Sequence, residues 1–278
     1  MSDWERVAND LCLIASLISI MSNLMILIIT ARRKDCTLFS IATMSLSLNN
    51  AGFALYLVLS SLKMFLSPGS FKDSIYVLSR FLRSFFYSTS FYTVSLIAIQ
   101  RYYAIMHPLK YREITKRRQC LCIAVVMLLG VPAALFEFMA RFPKFSYEVL
   151  MIISAVFGQL APFLVTLMST VAMICGYWYH SNQVSTVQAV SQQAIIERQR
   201  NLLKMTGIIC TGYIITCLPS TVIKITRFEL EATLELRYIS DALFLLNTLI
   251  DVVVHCCLDN HFRTVWKTVF RSVCQQKN

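Results

Sequence analysis

The sequence predicts an all-α protein: a seven-transmembrane helix bundle followed by a C-terminal amphipathic surface helix. Three observations carry that expectation. The first is composition. Of 278 residues, 56% are apolar and only 15% are charged, and the mean hydropathy is +0.60. An ordinary soluble domain is about 25% charged, so this chain lacks the polar residues to cover a water-facing surface. The second is a series of apolar runs, each near the roughly 20 residues that a helix needs to cross the hydrocarbon core. The third is the sorting of Lys and Arg to one side of those runs.

The runs lie near residues 11–30, 37–62, 75–105, 120–139, 149–177, 203–225 and 239–258. The N-terminal decapeptide is acidic and passes directly into the first run, with no cleavable signal pattern. The first span is therefore expected to act as its own insertion signal. The third and fifth runs exceed the membrane thickness and should tilt or project into the cytosol. The connections are short. The longest, from His180 to about Leu202, has neither Pro nor Gly and could continue the helices on either side of it. Residues 1–258 thus read as one membrane domain, and 259–278 as a surface helix and short tail. In that last segment Phe262, Val265, Trp266, Val269, Phe270 and Val273 recur at helical spacing, with Arg263, Lys267 and Arg271 between them. Such a helix lies on the membrane interface, and Cys274 at its end is either a palmitoylation site or an unmodified thiol.

The net charge is +11, which in a soluble protein would suggest nucleic acid. Here it is concentrated on one membrane face and no nucleic-acid partner is expected; the lipid bilayer is the partner. Arg32, Arg33 and Lys34, then Arg101, Lys110, Arg112, Lys116, Arg117 and Arg118, then Arg198, Arg200 and Lys204, then Arg263, Lys267, Arg271 and Lys277 share that face. It should be cytosolic, which places the N-terminus outside and the C-terminus inside a multi-pass protein of the plasma membrane. The ten cysteines sit in or beside the apolar runs without metal-ligand spacing and read mostly as packing residues. The four histidines are dispersed. No nucleophile–base spacing and no Gly-rich phosphate loop occurs, so an enzyme is not expected. Broken helices in an inverted repeat, which a transporter would want, are not seen.

The cytosolic end of the third run is the most informative string. Residues 97–111 read IAIQRYYAIMHPLKY. Arg101, Tyr102, Ala104, Ile105, Pro108, Leu109 and Tyr111 match the acid–Arg–Tyr triplet and the following xAIxxPLxY of rhodopsin-like (class A) G-protein-coupled receptors, and the chain resembles a divergent member of that family along its whole length. Asn23, Asn50, Pro162, TCLP at 216–219 and DVVVH at 251–255 stand where the family keeps its other signatures. Several are altered. Asn50 replaces an Asp, Cys217 a Trp, Thr170 a Tyr, and the seventh run lacks the family's Pro and Tyr. Tyr76 stands where a disulfide cysteine is usual, and the loop near 140–148 has no Cys.

The resemblance implies a receptor that activates a heterotrimeric G protein through Gln100, Arg101, Tyr102, Pro108 and Leu109. An intramembrane Arg is costly and by default functional. Gln100 replaces the acid that would pair with Arg101, and a neutral hydrogen bond is roughly half as strong. Weak restraint of the inactive state and raised basal signalling are therefore expected. The implied ligand pocket is formed by Arg80, Arg83, Tyr87, Cys217, Lys224 and Asp241. Arg83 stands five helical turns before Arg101 and shares its inward face. An Arg where amine receptors carry an Asp argues against a cationic amine. Arg83 either pairs with Asp241 as an internal lock or, with Arg80, receives an anionic group of the ligand, and both hold if the ligand displaces the lock. Asn23, Asn50, Ser90, Asn247 and Asp251 align with the family's core polar cluster. They form either a sodium site with one carboxylate or a hydrogen-bonded cluster around a protonated Asp251 with no ion; no other cofactor is implied. Set against the receptor reading, the altered switch residues suggest a non-signalling relative that acts as a membrane partner or scaffold.

Overall fold

The computed structural model describes residues 3–32, 37–62, 70–139, 146–184, 190–225, 234–259 and 262–265; side chains at 3–5, 70–76, 180–202, 217, 220, 223–225 and 234–238 lie outside the description. The chain is all helical there. We number the helices α1 (Asp3–Ala31), α2 (Leu38–Leu62), α3 (Ser70–Met106), α4 (Pro108–Arg112), α5 (Lys116–Met139), α6 (Tyr147–Ala155), α7 (Ala161–Val184), α8 (Val190–Ile225) and α9 (Leu234–Leu258). A π-helical turn, Val156–Leu160, joins α6 to α7 into one rod. The segment after His180 is largely helical, because α7 runs to Val184 and α8 starts at Val190.

Among the described residues, five helices are long and apolar enough to cross a membrane: Arg6–Ala31, Leu38–Leu62, Lys116–Met139, Tyr147–Tyr179 and Ile239–Leu258. The protein is a multi-pass helical bundle. The third and sixth runs of the sequence also fold as long helices, α3 and α8, but with a more polar composition. At 37 residues, α3 is about 55 Å long, taking 1.5 Å per residue. Its polarity follows from its place. It packs against α2, α5, α7, α8 and the π turn, so its side chains meet protein on most sides. Arg83, Ser84, Ser88, Thr89, Ser90, Thr93, Ser95, Gln100 and Arg101 are all buried.

The bundle is apolar outside and polar within. Leu11, Ile14, Leu17, Ile18 and Met21 of α1, Leu121, Leu128 and Leu129 of α5, and Leu164, Met168 and Val171 of α7 are exposed. In water such a surface would aggregate; against lipid tails it costs nothing. Helix association in lipid depends on close backbone approach and polar contacts, and glycines of the neighbouring helices, Gly130 and Gly158 among them, abut α3. A Cβ on Gly130 of α5 would lie 2.3 Å from Thr89 Cγ2, and one on Gly158 of the π turn 2.7 Å from Ser88 Oγ.

The π turn has a local cause. Pro162 has no N–H to continue the helical ladder, and the widened turn displaces neighbouring carbonyls from their usual partners. Side chains of α3 and α7 accept the task. The Tyr92 hydroxyl donates to Phe157 O at 2.5 Å. Just beyond the turn, the Ser95 and Thr166 hydroxyls each donate to Pro162 O at 2.8 Å and tie α3 to the start of α7. Of the C-terminal surface helix, only 262–265 are described; they are helical, and Phe262 is buried against Ile26 and Ile29 of α1. Cys274 and the rest of that segment lie outside the described residues.

Candidate functional site: a layered axis from an ion pair to a buried arginine

Side chains from α2, α3, α8 and α9 form successive layers along the bundle. Arg83 of α3 and Asp241 of α9 form a buried ion pair: Arg83 Nε donates to Asp241 Oδ1 at 3.0 Å and Nη2 lies 2.9 Å from the same oxygen. The Tyr56 hydroxyl of α2 donates to Asp241 Oδ2 at 3.0 Å. Three helices are tied at one carboxylate, and both of its oxygens accept a hydrogen bond. Removing either member of a buried pair leaves an uncompensated charge, at a cost of about 3–5 kcal/mol. Arg80, one turn away, is half-buried.

Beneath this layer lies a set of aromatic rings. Phe53 of α2 stands 4.2 Å from Phe244 of α9, and Tyr87 of α3 is 4.5 Å from Phe244 and 5.2 Å from Phe91. Tyr213 of α8 meets Phe91 and Phe244 edge-on, each at 6.0 Å. Tyr87 is almost wholly buried, so it belongs to this packed layer rather than to an open cleft. Cys217 and Lys224 fall on α8, and their side chains lie outside the described residues.

The next layer is polar. Asn50 Nδ2 donates to Asp251 Oδ2 at 2.8 Å. Asn50 Oδ1 accepts from the Tyr213 hydroxyl at 3.0 Å and from Ser90 Oγ at 3.4 Å. Asn50, Ser90 and Asp251 are therefore brought together. Asn23 is placed differently: its amide donates to Ser19 O of its own helix at 2.9 Å, and the Ser19 hydroxyl joins Thr248 of α9 at 2.7 Å. Asn247 is fully buried, and neither polar atom of its side chain has a hydrogen-bond partner among the described residues. It stands against α8, with its Oδ1 2.8 Å from where a Cβ of Gly212 would lie. Asp251 Oδ1 and Asn23 Oδ1 also lack a described partner. No group of three His, Cys, Asp or Glu side chains suited to a metal exists among the described residues.

Near the C-terminal end of α3, Arg101 and Gln100 are both buried. The Gln100 amide makes no hydrogen bond among the described residues, so the neutral hydrogen bond that the sequence allowed between it and Arg101 is not formed. The Arg101 guanidinium instead lies over the ring of Phe39 on α2, 3.9 Å from its centroid. Tyr102 is half-buried. Pro108 opens α4 at its first position, where a residue without an N–H loses nothing. Leu109 beside it is 75% exposed. Tyr111 folds back toward Arg101; burial raises its hydroxyl above the usual pKa of 10.0, while the arginine's charge works in the opposite direction.

Ser19, Phe39, Phe53, Tyr56, Phe91, Tyr213, Phe244 and Thr248 are members of this axis that sequence reasoning missed. Aromatic residues within apolar runs look like any other packing residue. The one available signal was spacing: Tyr56, Phe53 and Asn50 fall three residues apart on α2, as do Asp241, Phe244 and Asn247 on α9.

A helical membrane bundle threaded by an ion pair, an aromatic layer, a polar cluster and a buried arginine is the kind of fold that seven-helix receptors use. The sequence profile of the 7 transmembrane receptor (rhodopsin family) matches residues 22–259, and the chain belongs to that family. No curated protein matches the chain significantly.

Proposed function

We propose that this chain is a seven-span G-protein-coupled receptor of the plasma membrane. In this reading α3 and α8 complete the five apolar spans, the N-terminus is extracellular, and the Arg101 end faces the cytosol. The observation that carries the reading is Arg101. It is an arginine held in the interior of a membrane bundle, at the inner end of the central helix, within the IAIQRYYAIMHPLKY string. A structural role alone gives no reason to accept that desolvation cost. Gln100, Arg101, Tyr102, Pro108 and Leu109 form the coupling region for a heterotrimeric G protein, with the exposed Leu109 offering an apolar contact just outside the membrane. The basic residues of that face favour an acidic partner surface and anionic lipid headgroups.

In the outer half, Arg83, Asp241 and Tyr56, with Arg80, Tyr87, Cys217 and Lys224, form the ligand-responsive region. The ligand class is anionic. A carboxylate or phosphate competes with Asp241 for Arg83, releases Asp241 and Tyr56, and so uncouples α9 from α2 and α3. A cationic amine would find Asp241 already occupied. Deeper in the core, Asn50, Ser90 and Asp251 mark the proposed sodium site, where Asp251 Oδ1 accepts no described hydrogen bond. Cys274 is the proposed palmitoylation site on the surface helix.

The test is basal cyclic AMP and calcium output in cells that express the chain, compared with Arg101→Ala at equal surface level. A basal signal abolished by the substitution is expected. A basal signal that persists at full strength in Arg101→Ala would overturn the assignment of Arg101. The non-signalling alternative draws on Cys217, Thr170 and the DVVVH sequence at the family's switch positions. It would be favoured by silence of both proteins even when fused to a Gα subunit.

A further inference from the structure

We propose that Phe39 is the positioning residue for Arg101. Its ring holds the guanidinium by a cation–π contact, in the role that a neighbouring carboxylate would otherwise fill. The inference rests on the receptor reading for its role in signalling, but the contact itself is independent of that reading.

The geometry is specific. The Arg101 Cζ lies 3.9 Å from the Phe39 centroid, well inside the roughly 6 Å over which a ring face attracts a cation. Both residues are 8% exposed, so little water competes, and desolvation is what makes such contacts strong. Arginine suits the task, because its planar, weakly hydrated guanidinium stacks on a ring in a way an ammonium does not.

Phe39 is itself held in place. The Thr37 hydroxyl accepts the Ser40 backbone N–H at 3.2 Å and also joins the Ser40 hydroxyl at 2.9 Å. That caps the start of α2 and fixes its first turn, on which Phe39 stands. The residue that would restrain Arg101 by sequence position does not do so: the Gln100 amide is turned to no described partner. The Phe39 contact thus comes from the neighbouring helix rather than from the arginine's own. A contact between α2 and α3 also reports the packing of those two helices, whereas an acid within α3 would not.

The experiment replaces Phe39 with phenylalanines carrying one, two and three ring fluorines, in the full chain in lipid nanodiscs and in cells. Fluorination drains the ring's negative face while barely changing its shape. Thermal stability should fall stepwise with fluorine number, and the steps should vanish in an Arg101→Met background. Basal signalling should rise in the same order, reaching about three- to thirty-fold for complete loss of the contact, as Phe39→Leu would also give. Adding Gln100→Glu to Phe39→Leu should restore low basal output. If stability is flat across the fluorinated series while Phe39→Leu lowers it, Phe39 only packs and the inference is overturned. If stability steps but no variant signals, the contact stands and the receptor reading falls.

Discussion

Arg83 and Asp241 are the residues whose energetics can be argued most directly. Each is buried, each is satisfied by the other, and Tyr56 completes the carboxylate's partners. Asp241→Asn leaves a buried guanidinium without its counter-charge. Arg83→Gln leaves a buried carboxylate with only Tyr56. Each single change should cost about 3–5 kcal/mol of stability, whereas Arg83→Met with Asp241→Leu should recover most of the loss, since a buried pair is often replaceable by apolar residues of similar size. Thermal unfolding of the four proteins in nanodiscs closes the cycle. If the losses add in the double variant, the two residues are not coupled. The same pair sets the ligand expectation: an anionic ligand should bind less well to Arg83→Gln than to the parent, and Asp241→Asn should relieve the competition. Arg83, Asp241 and Arg101 stood out in the sequence because a charge in an apolar run is conspicuous. Tyr56, Tyr213 and Phe39 did not, because an aromatic residue in such a run is ordinary until its neighbours are known.

Among the elements, α3 shows most clearly what a helix gives up and gains by standing in the middle. Its composition is polar for a membrane helix because its neighbours, not lipid, receive its side chains. Several of those neighbours approach it through glycine. Gly130→Ala would place a Cβ 2.3 Å from Thr89 Cγ2 and 3.5 Å from Phe85 O, a collision that should cost about 1–3 kcal/mol as overpacking. Gly207→Ala in α8 meets nothing within 4 Å and should instead stabilise by up to about 1 kcal/mol through helix propensity. Opposite signs for the same substitution, measured by thermal unfolding, are the expected outcome. Equal effects would mean that the close approach of α5 to α3 carries no weight. The positions of the helices were readable from the apolar runs; the ends at residues 62, 139, 225 and 258 coincide with the run ends, while most helices begin earlier than their runs, α8 by more than three turns. The π turn was not readable. Pro162 announced a disturbed ladder, but whether the helix would kink, break or widen depended on partners from other helices, such as Tyr92 of α3, which takes up Phe157 O.

For the whole molecule, orientation is the open physical question, and the distribution of Lys and Arg answers it by expectation. A glycosylation sequon introduced before residue 6 should be modified in microsomes. One introduced between Lys110 and Lys116 should not, because the positively charged face stays on the cytosolic side. Modification of the second and not the first would invert the proposed topology and place Arg101 outside. The sequence by itself determined that the protein lives in a membrane, where its helices run, which face is basic and which family it resembles. All of these are properties of single segments, since hydropathy, charge and local motifs need no partner. The tertiary structure alone decided which buried polar groups meet. Asn50 reaches Asp251, Arg83 reaches Asp241, and Arg101 lies on Phe39 rather than beside Gln100, because a pairing between helices depends on their rotation and depth, which no one segment encodes.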